Sequence, residues 1–284
     1  MRIGLHTSGV KSLEAAALRA HELGANTFQI FSASPRMWRA GTPKPADVKS
    51  LRAARELFDL TPLVIHVNYL ANLASIDPEI RAKSVASFRG ELERAAIIGA
   101  EYLVLHPGSY KGQSLEQGIE AFVRGLAEAA SGASSGGVTV LLENTVGAGN
   151  QIGQRFEELR RIRDLAAGES ELPIGYCFDT CHLFAAGFDV ASESGLEETL
   201  EAAERVLGMD MVKVIHANDS KGALGSRLDR HENIGAGKIG EAGFARILTH
   251  PALRDKPFIL ETPMEDDEAA RRDLDALKRL SQAK

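Results

Sequence analysis

Six short apolar runs of this chain end in a side chain that can bind a divalent cation. Leu63-Val64-Ile65 stops at His66, Tyr102-Leu103-Val104-Leu105 at His106, and the run 138–142 at Glu143. The run 174–178 stops at Asp179, with His182 three residues on. The run 211–215 stops at His216, and 257–260 at Glu261. The glycine-rich stretch that follows, HANDSKGALGSRLDRHENIGAGKIG from His216 onward, adds Asp229 and His231. A lone histidine in such a place is most often solvated or packed. Strand-like runs closed one after another by imidazole or carboxylate are not what chance produces, and these donors suit zinc and its neighbours in the transition series. Nine such groups exceed the roughly four that one tetrahedral ion takes, so two or three ions are expected.

Groups spread from residue 66 to residue 261 meet only if the fold gathers strand ends in one place. The pattern supplies such a fold. Strand-like runs at 2–6, 26–31, 63–66, 102–106, 138–143, 174–179, 211–216 and 257–261 alternate with helical patterns at 12–23, 45–58, 78–99, 114–130, 155–167, 195–207, 241–248 and 265–280. Several helices carry start signals, such as Asp77-Pro78 and Ser114-Leu115-Glu116-Gln117. Eight βα units predict a (β/α)8 TIM barrel, a single domain over 1–284, whose strand C-termini surround one mouth. A doubly wound open sheet is the rival. Its glycine phosphate loop is missing from Ser8-Gly9-Val10-Lys11-Ser12.

Bulk composition agrees with a soluble α/β chain: 284 residues, 44% hydrophobic and 25% charged. No apolar run approaches the ~20 residues of a membrane span. The N-terminal residues read as a first strand rather than a signal peptide. Cys177 and Cys181 lack zinc-knuckle spacing and give no disulfide framework, so they read as small strand and turn residues of a reducing, cytoplasmic protein. The net charge of −6 disfavours diffuse basic-patch binding to nucleic acid. Three divalent ions would cancel that charge and concentrate positive potential at the mouth.

At these residues the chain resembles the endonuclease IV family of zinc-dependent apurinic/apyrimidinic endonucleases. The carriers are Leu105-His106-Pro107-Gly108-Ser109, Leu142-Glu143-Asn144-Thr145, Phe178-Asp179-Thr180-Cys181-His182, His216-Ala217-Asn218-Asp219-Ser220, Asp229-Arg230-His231, Leu260-Glu261-Thr262 and His66-Val67-Asn68-Tyr69-Leu70-Ala71-Asn72-Leu73. They span nearly the whole length. The resemblance implies a deoxyribonuclease IV that cleaves duplex DNA on the 5′ side of an abasic site, leaving a 3′-hydroxyl, and removes blocked 3′ ends. It implies three Zn2+ per chain: one on His66, His106 and Glu143, a second on Glu143, Asp179, His216 and Glu261, a third on His182, Asp229 and His231. It also implies a monomer. The first loop departs from the family by being poorer in glycine, which leaves its contacts to DNA open.

Such chemistry needs these groups because a phosphodiester is anionic and repels hydroxide. Paired ions roughly 3.5–4 Å apart bring a water toward ionisation at neutral pH and clamp the phosphate. Four carboxylates (Glu143, Asp179, Asp229, Glu261) against three zincs leave the site net positive. Glu143 and Glu261 are both candidates for orienting the attacking oxygen. By resemblance Arg36, Tyr69 and Leu70 enter the gap left by an extruded abasic nucleotide. Core packing is the plain alternative for Tyr69-Leu70. Arg230, with Lys221 and Arg227, is a candidate contact to the DNA backbone. Trp38 reads as local packing, His6 as a supporting or substrate residue, and His21 and His250 as surface. Two rivals remain. A xylose isomerase-like sugar isomerase or epimerase would use Glu143, Asp179, His216 and Glu261 alone, and has no reason to carry the other five ligands. Metals that merely staple the fold are disfavoured in a chain long enough to build its own core.

Overall fold

The computed structural model describes residues 1–7 and 12–283. In chain order the elements are β1 (Arg2–His6), α1 (Leu13–Glu22), β2 (Thr27–Phe31), α2 (Pro45–Leu57), β3 (Leu63–His66), α3 (Pro78–Ile98), β4 (Tyr102–Leu105), α4 (Leu115–Ala130), β5 (Thr139–Glu143), α5 (Phe156–Ala166) and β6 (Ile174–Asp179). Then follow α6 (Thr180–Ala186), α7 (Glu193–Val206), β7 (Val212–His216), β8 (Asp219–Ser220), β9 (His231–Glu232), α8 (Gly240–Thr249), β10 (Pro257–Leu260) and α9 (Asp267–Leu280). Eight strands close into a parallel barrel in the order β1-β10-β7-β6-β5-β4-β3-β2. This is the expected (β/α)8 TIM barrel, and the strand and helix bounds agree with the sequence pattern to within one or two residues at most ends. The loop at residues 8–11, read above as lacking a phosphate-binding fingerprint, lies outside the described residues.

Helix starts follow local chemistry. Asp77 accepts from the amides of Glu79 and Ile80 ahead of Pro78, and Ser114 forms a reciprocal capping box with Gln117. Two elements depart from the sequence reading. Asp179 ends β6 and also caps α6, accepting from the His182 amide at 2.8 Å, so strand passes into helix with no loop between them. That seven-residue helix is buried almost throughout, which hides the periodicity that would announce it. The stretch carrying Asp229 and His231 is not simply a loop either. Its ends pair as an antiparallel hairpin, Asp219 opposite Glu232 and Ser220 opposite His231.

The barrel interior explains how the strands aim the candidate ligands. Val64, Val104, Leu141, Cys177, Val214 and Ile259 pack together inside it as an apolar plug. Each stands two residues before a candidate ligand: His66, His106, Glu143, Asp179, His216 and Glu261. Strand side chains alternate with a period of two, so a residue that fills the plug dictates an inward-facing group two positions later. Burial of Cys177 in this plug pushes its thiol up to about 12, as suits a small strand residue.

The segment after His216 is held by one carboxylate. Asp219 is fully buried and accepts backbone hydrogen bonds from Ser220 (2.8 Å), Gly235 (3.0 Å), Gly237 (3.0 Å), Ile239 (2.9 Å) and Gly240 (3.2 Å). A Cβ at Gly237 would lie 2.4 Å from Asp219 Oδ1, so only glycine lets the chain wrap this closely. Asp219→Asn keeps the shape but turns an amide NH2 toward amide donors. We expect a stability loss on the order of 2–3 kcal/mol and a melting point lower by roughly 5–10 °C. A melting curve unchanged within experimental error would show that Asp219 does not hold this segment.

Candidate metal centre

At the centre of the barrel mouth lies Glu143, fully buried at the end of β5. One oxygen, Oε2, is 3.2 Å from His66 Nε2 and 3.3 Å from His106 Nε2. The other, Oε1, is 3.2 Å from His216 Nδ1 and 3.3 Å from His182 Nδ1. The nine side chains singled out in the sequence fall into three groups whose ligand-capable atoms lie within 4.8 Å of one another: His66, His106 and Glu143; Glu143, Asp179, His216 and Glu261; His182, Asp229 and His231. The first two groups meet through Glu143. Asp229 stands 3.2 Å from His182 Nε2 and 3.6 Å from His231 Nε2. Beyond the nine, Cys181 joins Asp179 and His231 in a further group. Burial, with the Asp179 carboxylate beside it, pushes this thiol up to about 12, and it lies 3.7 Å from the Arg230 carbonyl as a donor. Cys181 is thus closer to the ligands than a plain turn residue.

The outward-facing ring nitrogens decide which nitrogen is left for a metal. A carbonyl only accepts, so His66 Nδ1 donates to Val67 O at 2.7 Å, His182 Nδ1 to Asn144 O at 3.0 Å and His231 Nδ1 to Glu261 O at 3.1 Å. In the neutral rings, the form that binds a metal, the Nε2 atoms then carry lone pairs into the cluster. His231 Nε2 is buried with no hydrogen-bond partner among the described residues. An orphaned lone pair among carboxylates fits a cation there, and the donor set of imidazole and carboxylate fits zinc.

Several polar residues that position these groups escaped the sequence reading. Gln29, buried on β2, gives its amide nitrogen to Glu261 Oε1 at 2.6 Å. A carboxylate only accepts, so the Gln29 oxygen must face His216 Nε2, at 2.8 Å, which donates to it and frees Nδ1 for the cluster. Gln29 also lies 2.9 Å from His6 Nδ1, drawing His6 to the rim, 3.6 Å from Glu261. Asn218 accepts from the Glu261 amide at 2.8 Å and donates to Asp179 Oδ2 at 2.6 Å. Asn144 accepts from the Asp179 amide at 2.8 Å. A glutamine inside the otherwise apolar run Phe28-Gln29-Ile30-Phe31 is the visible signal for the first.

The electrostatics favour ionised carboxylates. Burial alone would push Glu143 up, but His106, His216 and His182 outweigh it and hold Glu143 well below the usual carboxylate range. Glu261 behaves alike, with burial opposed by His216, His6 and His66. Burial opposes charge on His182 too, yet Asp179, Asp229 and Glu143 raise it well above an ordinary imidazole. A metal arriving here must displace protons from such rings.

Around the cluster the residues considered for contacts to nucleic acid lie on loops. Tyr69 is 70% exposed, which removes the core-packing alternative for this side chain, and its ring stands edge-on to Phe31 at 5.3 Å. Leu70 is half-buried, and both line a cleft of about 330 Å³ that also reaches His106 and Asp229. Arg36, Arg227 and Arg230 are exposed, Trp38 is half-buried, and Lys221 is 3.8 Å from Glu232. Leu224 and Leu228, exposed between β8 and β9, were not singled out. His21 is exposed and stacks on Phe58. His250 is half-buried at the surface, 3.2 Å from the exposed Glu197.

Residues 17–280 match the family model described as a Xylose isomerase-like TIM barrel. A "Probable endonuclease 4" of Solibacter usitatus is 62% identical over 284 residues, covering 100% of this chain and 98% of that one. The crystal structure of endonuclease IV from Thermus thermophilus superimposes with a TM-score of 0.85 at 40% identity, covering 99% and 98% of the two chains. A D-tagatose 3-epimerase-like protein superimposes with a TM-score of 0.73 at 22% identity over 99% of this chain and 97% of its own, which shows a shared fold. Likeness to the endonucleases runs through sequence and fold together over essentially the full chain, and the chain belongs to the endonuclease IV family of nucleases.

Proposed function

We propose that this nuclease hydrolyses the phosphodiester 5′ to an abasic site in duplex DNA and removes blocking groups from 3′ ends, using three zinc ions. The observation that carries the reading is the joining of two ligand groups through the buried Glu143, with a third group adjoining them. His66, His106 and Glu143 would hold one ion, Glu143, Asp179, His216 and Glu261 the second, and His182, Asp229 and His231 the third. When bound, the ions supply Lewis acidity at the phosphate and a nucleophile at neutral pH. The chain supplies the rest. Glu143, with no exposed surface, is suited to holding. Glu261 keeps 17% of its side chain exposed at the mouth and is tied by Gln29, so it is suited to orienting the attacking oxygen. Arg36, Tyr69 and Leu70 would fill the space of an extruded nucleotide, and Arg230 would meet the DNA backbone. No helix among the described residues is long and apolar enough to cross a membrane. Two free, buried cysteines suit a reducing compartment, and we place the enzyme in the cytoplasm as a monomer. The group of Glu143, Asp179, His216 and Glu261 alone would serve a sugar epimerase, but the five further ligands have no task in one.

The test is incision of a duplex bearing one abasic analogue, with metal analysis of the same sample. Strong chelation should abolish incision and zinc should restore it. Full activity in metal-free protein would sink the proposal, and a single ion per chain would favour the epimerase. Glu143→Gln should lower turnover by about a thousandfold, because one ligand serves two ions, while abasic DNA still binds.

His231→Ala should cost about one equivalent of zinc, since His182, Asp229 and His231 share no ligand with the other two proposed zinc groups. Loss of all three together would contradict the grouping.

The double change Tyr69→Ala, Leu70→Ala should weaken binding to abasic duplex about tenfold with zinc retained, and the penalty should shrink on a nicked duplex that is already partly unstacked. An equal loss on both substrates, with a large fall in melting temperature, would take the pair out of recognition and assign Leu70 to packing.

A further inference from the structure

One side of α3 carries polar residues where a barrel helix ordinarily carries apolar ones. Ser84, Ser87, Glu91 and Arg94 recur at spacings of three and four, so they share a face, and all four are buried. The apolar stripe Val85, Phe88, Leu92 and Ala95 runs beside them into the core. Glu91 and Arg94 pair at 3.0 Å. A buried ion pair is weak as a device for stability, because desolvation consumes most of the attraction and apolar residues of similar volume often do as well. The partners of this face give it another purpose.

Every one of the four reaches a loop beside the candidate metal centre. Ser32, the first residue after β2, donates to Glu91 Oε2 and accepts from Arg94 Nε at 2.7 Å. Ser87 Oγ accepts from Asn68 Nδ2 at 2.7 Å, and Asn68 Oδ1 accepts in turn from the Leu70 amide at 3.0 Å. Ser84 Oγ accepts from the Asn72 amide at 2.9 Å. The second loop also leans on the end of β2, where Phe31, beside Ser32, carries the Tyr69 ring. Gly90, one turn before Arg94, completes the seat: a Cβ there would lie 2.9 Å from Arg94 Nη1.

We infer that α3 is the mount of the DNA-reading loops. Ser84, Ser87, Glu91 and Arg94 are positioning residues that hold the loops at 32–44 and 67–77 in the shape that presents Arg36, Tyr69 and Leu70. The inference rests on the proposed function. Loops ordered before binding need not be ordered by it, so the mount acts on affinity for the duplex and not on the reaction of bound substrate.

The experiment uses zinc-loaded enzyme and a duplex with one tetrahydrofuran abasic analogue. Ser32→Ala removes the bridging hydroxyl and leaves the Glu91–Arg94 pair intact. The dissociation constant should rise about three- to tenfold, as for one lost hydrogen bond. The single-turnover rate at saturating enzyme and the zinc content should stay at wild-type values. Ser32→Thr restores the hydroxyl and should restore affinity. Gly90→Ala guards against a folding artefact: alanine favours the helix, so the melting temperature should hold or rise while the displaced Arg94 weakens binding. Wild-type affinity in both Ser32→Ala and Gly90→Ala would overturn the mount, as would a single-turnover rate that falls in step with affinity, or loss of zinc. If the wild-type enzyme itself fails to incise the duplex, the proposed function falls and takes the mount with it.

Discussion

Four imidazoles crowd the two oxygens of a carboxylate that has no exposed surface, and much else in this molecule answers to that arrangement. A buried carboxylate is costly unless it is paired, and buried neutral imidazoles need partners for both nitrogens. The chain meets the second demand on the outer side of His66, His182 and His216, with the carbonyls of Val67 and Asn144 and the amide of Gln29. On the inner side the carboxylates draw protons onto the rings, and rings freed of those protons would turn lone pairs toward negative charge. Such a cluster is an unfavourable core and a favourable cation site, so its polar atoms are organised around charge that the protein itself does not carry.

Support for the cluster comes in two kinds. The barrel supplies inward direction through strand alternation, with Val64, Val104, Leu141, Cys177, Val214 and Ile259 fixing the positions of the groups above them. Side-chain amides then cross-link the ends of different strands: Gln29 joins β1, β2, β7 and the residue after β10, and Asn218 joins β6 to Glu261. Amides suit this work because each offers donor and acceptor at once and stays uncharged beside the metal groups.

Much of the architecture was legible because period-two strands and period-3.6 helices leave strong traces, and because a ligand at a strand end follows an apolar run. Asp229 and His231 were legible by type, while the hairpin that carries them was not. Its two-residue strands leave no alternation to read, and its shape depends on Asp219 gathering amides up to twenty-one residues away. The helix after Asp179 was hidden because it is too short and too buried for a periodic signal. Gln29 was passed over because one polar residue in an apolar run has many explanations until its neighbours in space are known. Tyr69 could not be divided between packing and exposure from sequence, since both suit a tyrosine after a strand.

The apolar plug has a consequence for traffic. Valine, leucine, isoleucine and cysteine fill the barrel below the ligands, so water and ions reach the cluster from the loop side and leave by the same door. A duplex lying across that door would close it. Ion loss would then be governed by the residence time of the nucleic acid rather than by the strength of the ligands, and a chelator would act on enzyme between encounters. An enzyme of the proposed function spends most of its life between such encounters, with the door open, and there its ions would be kept by the ligands alone.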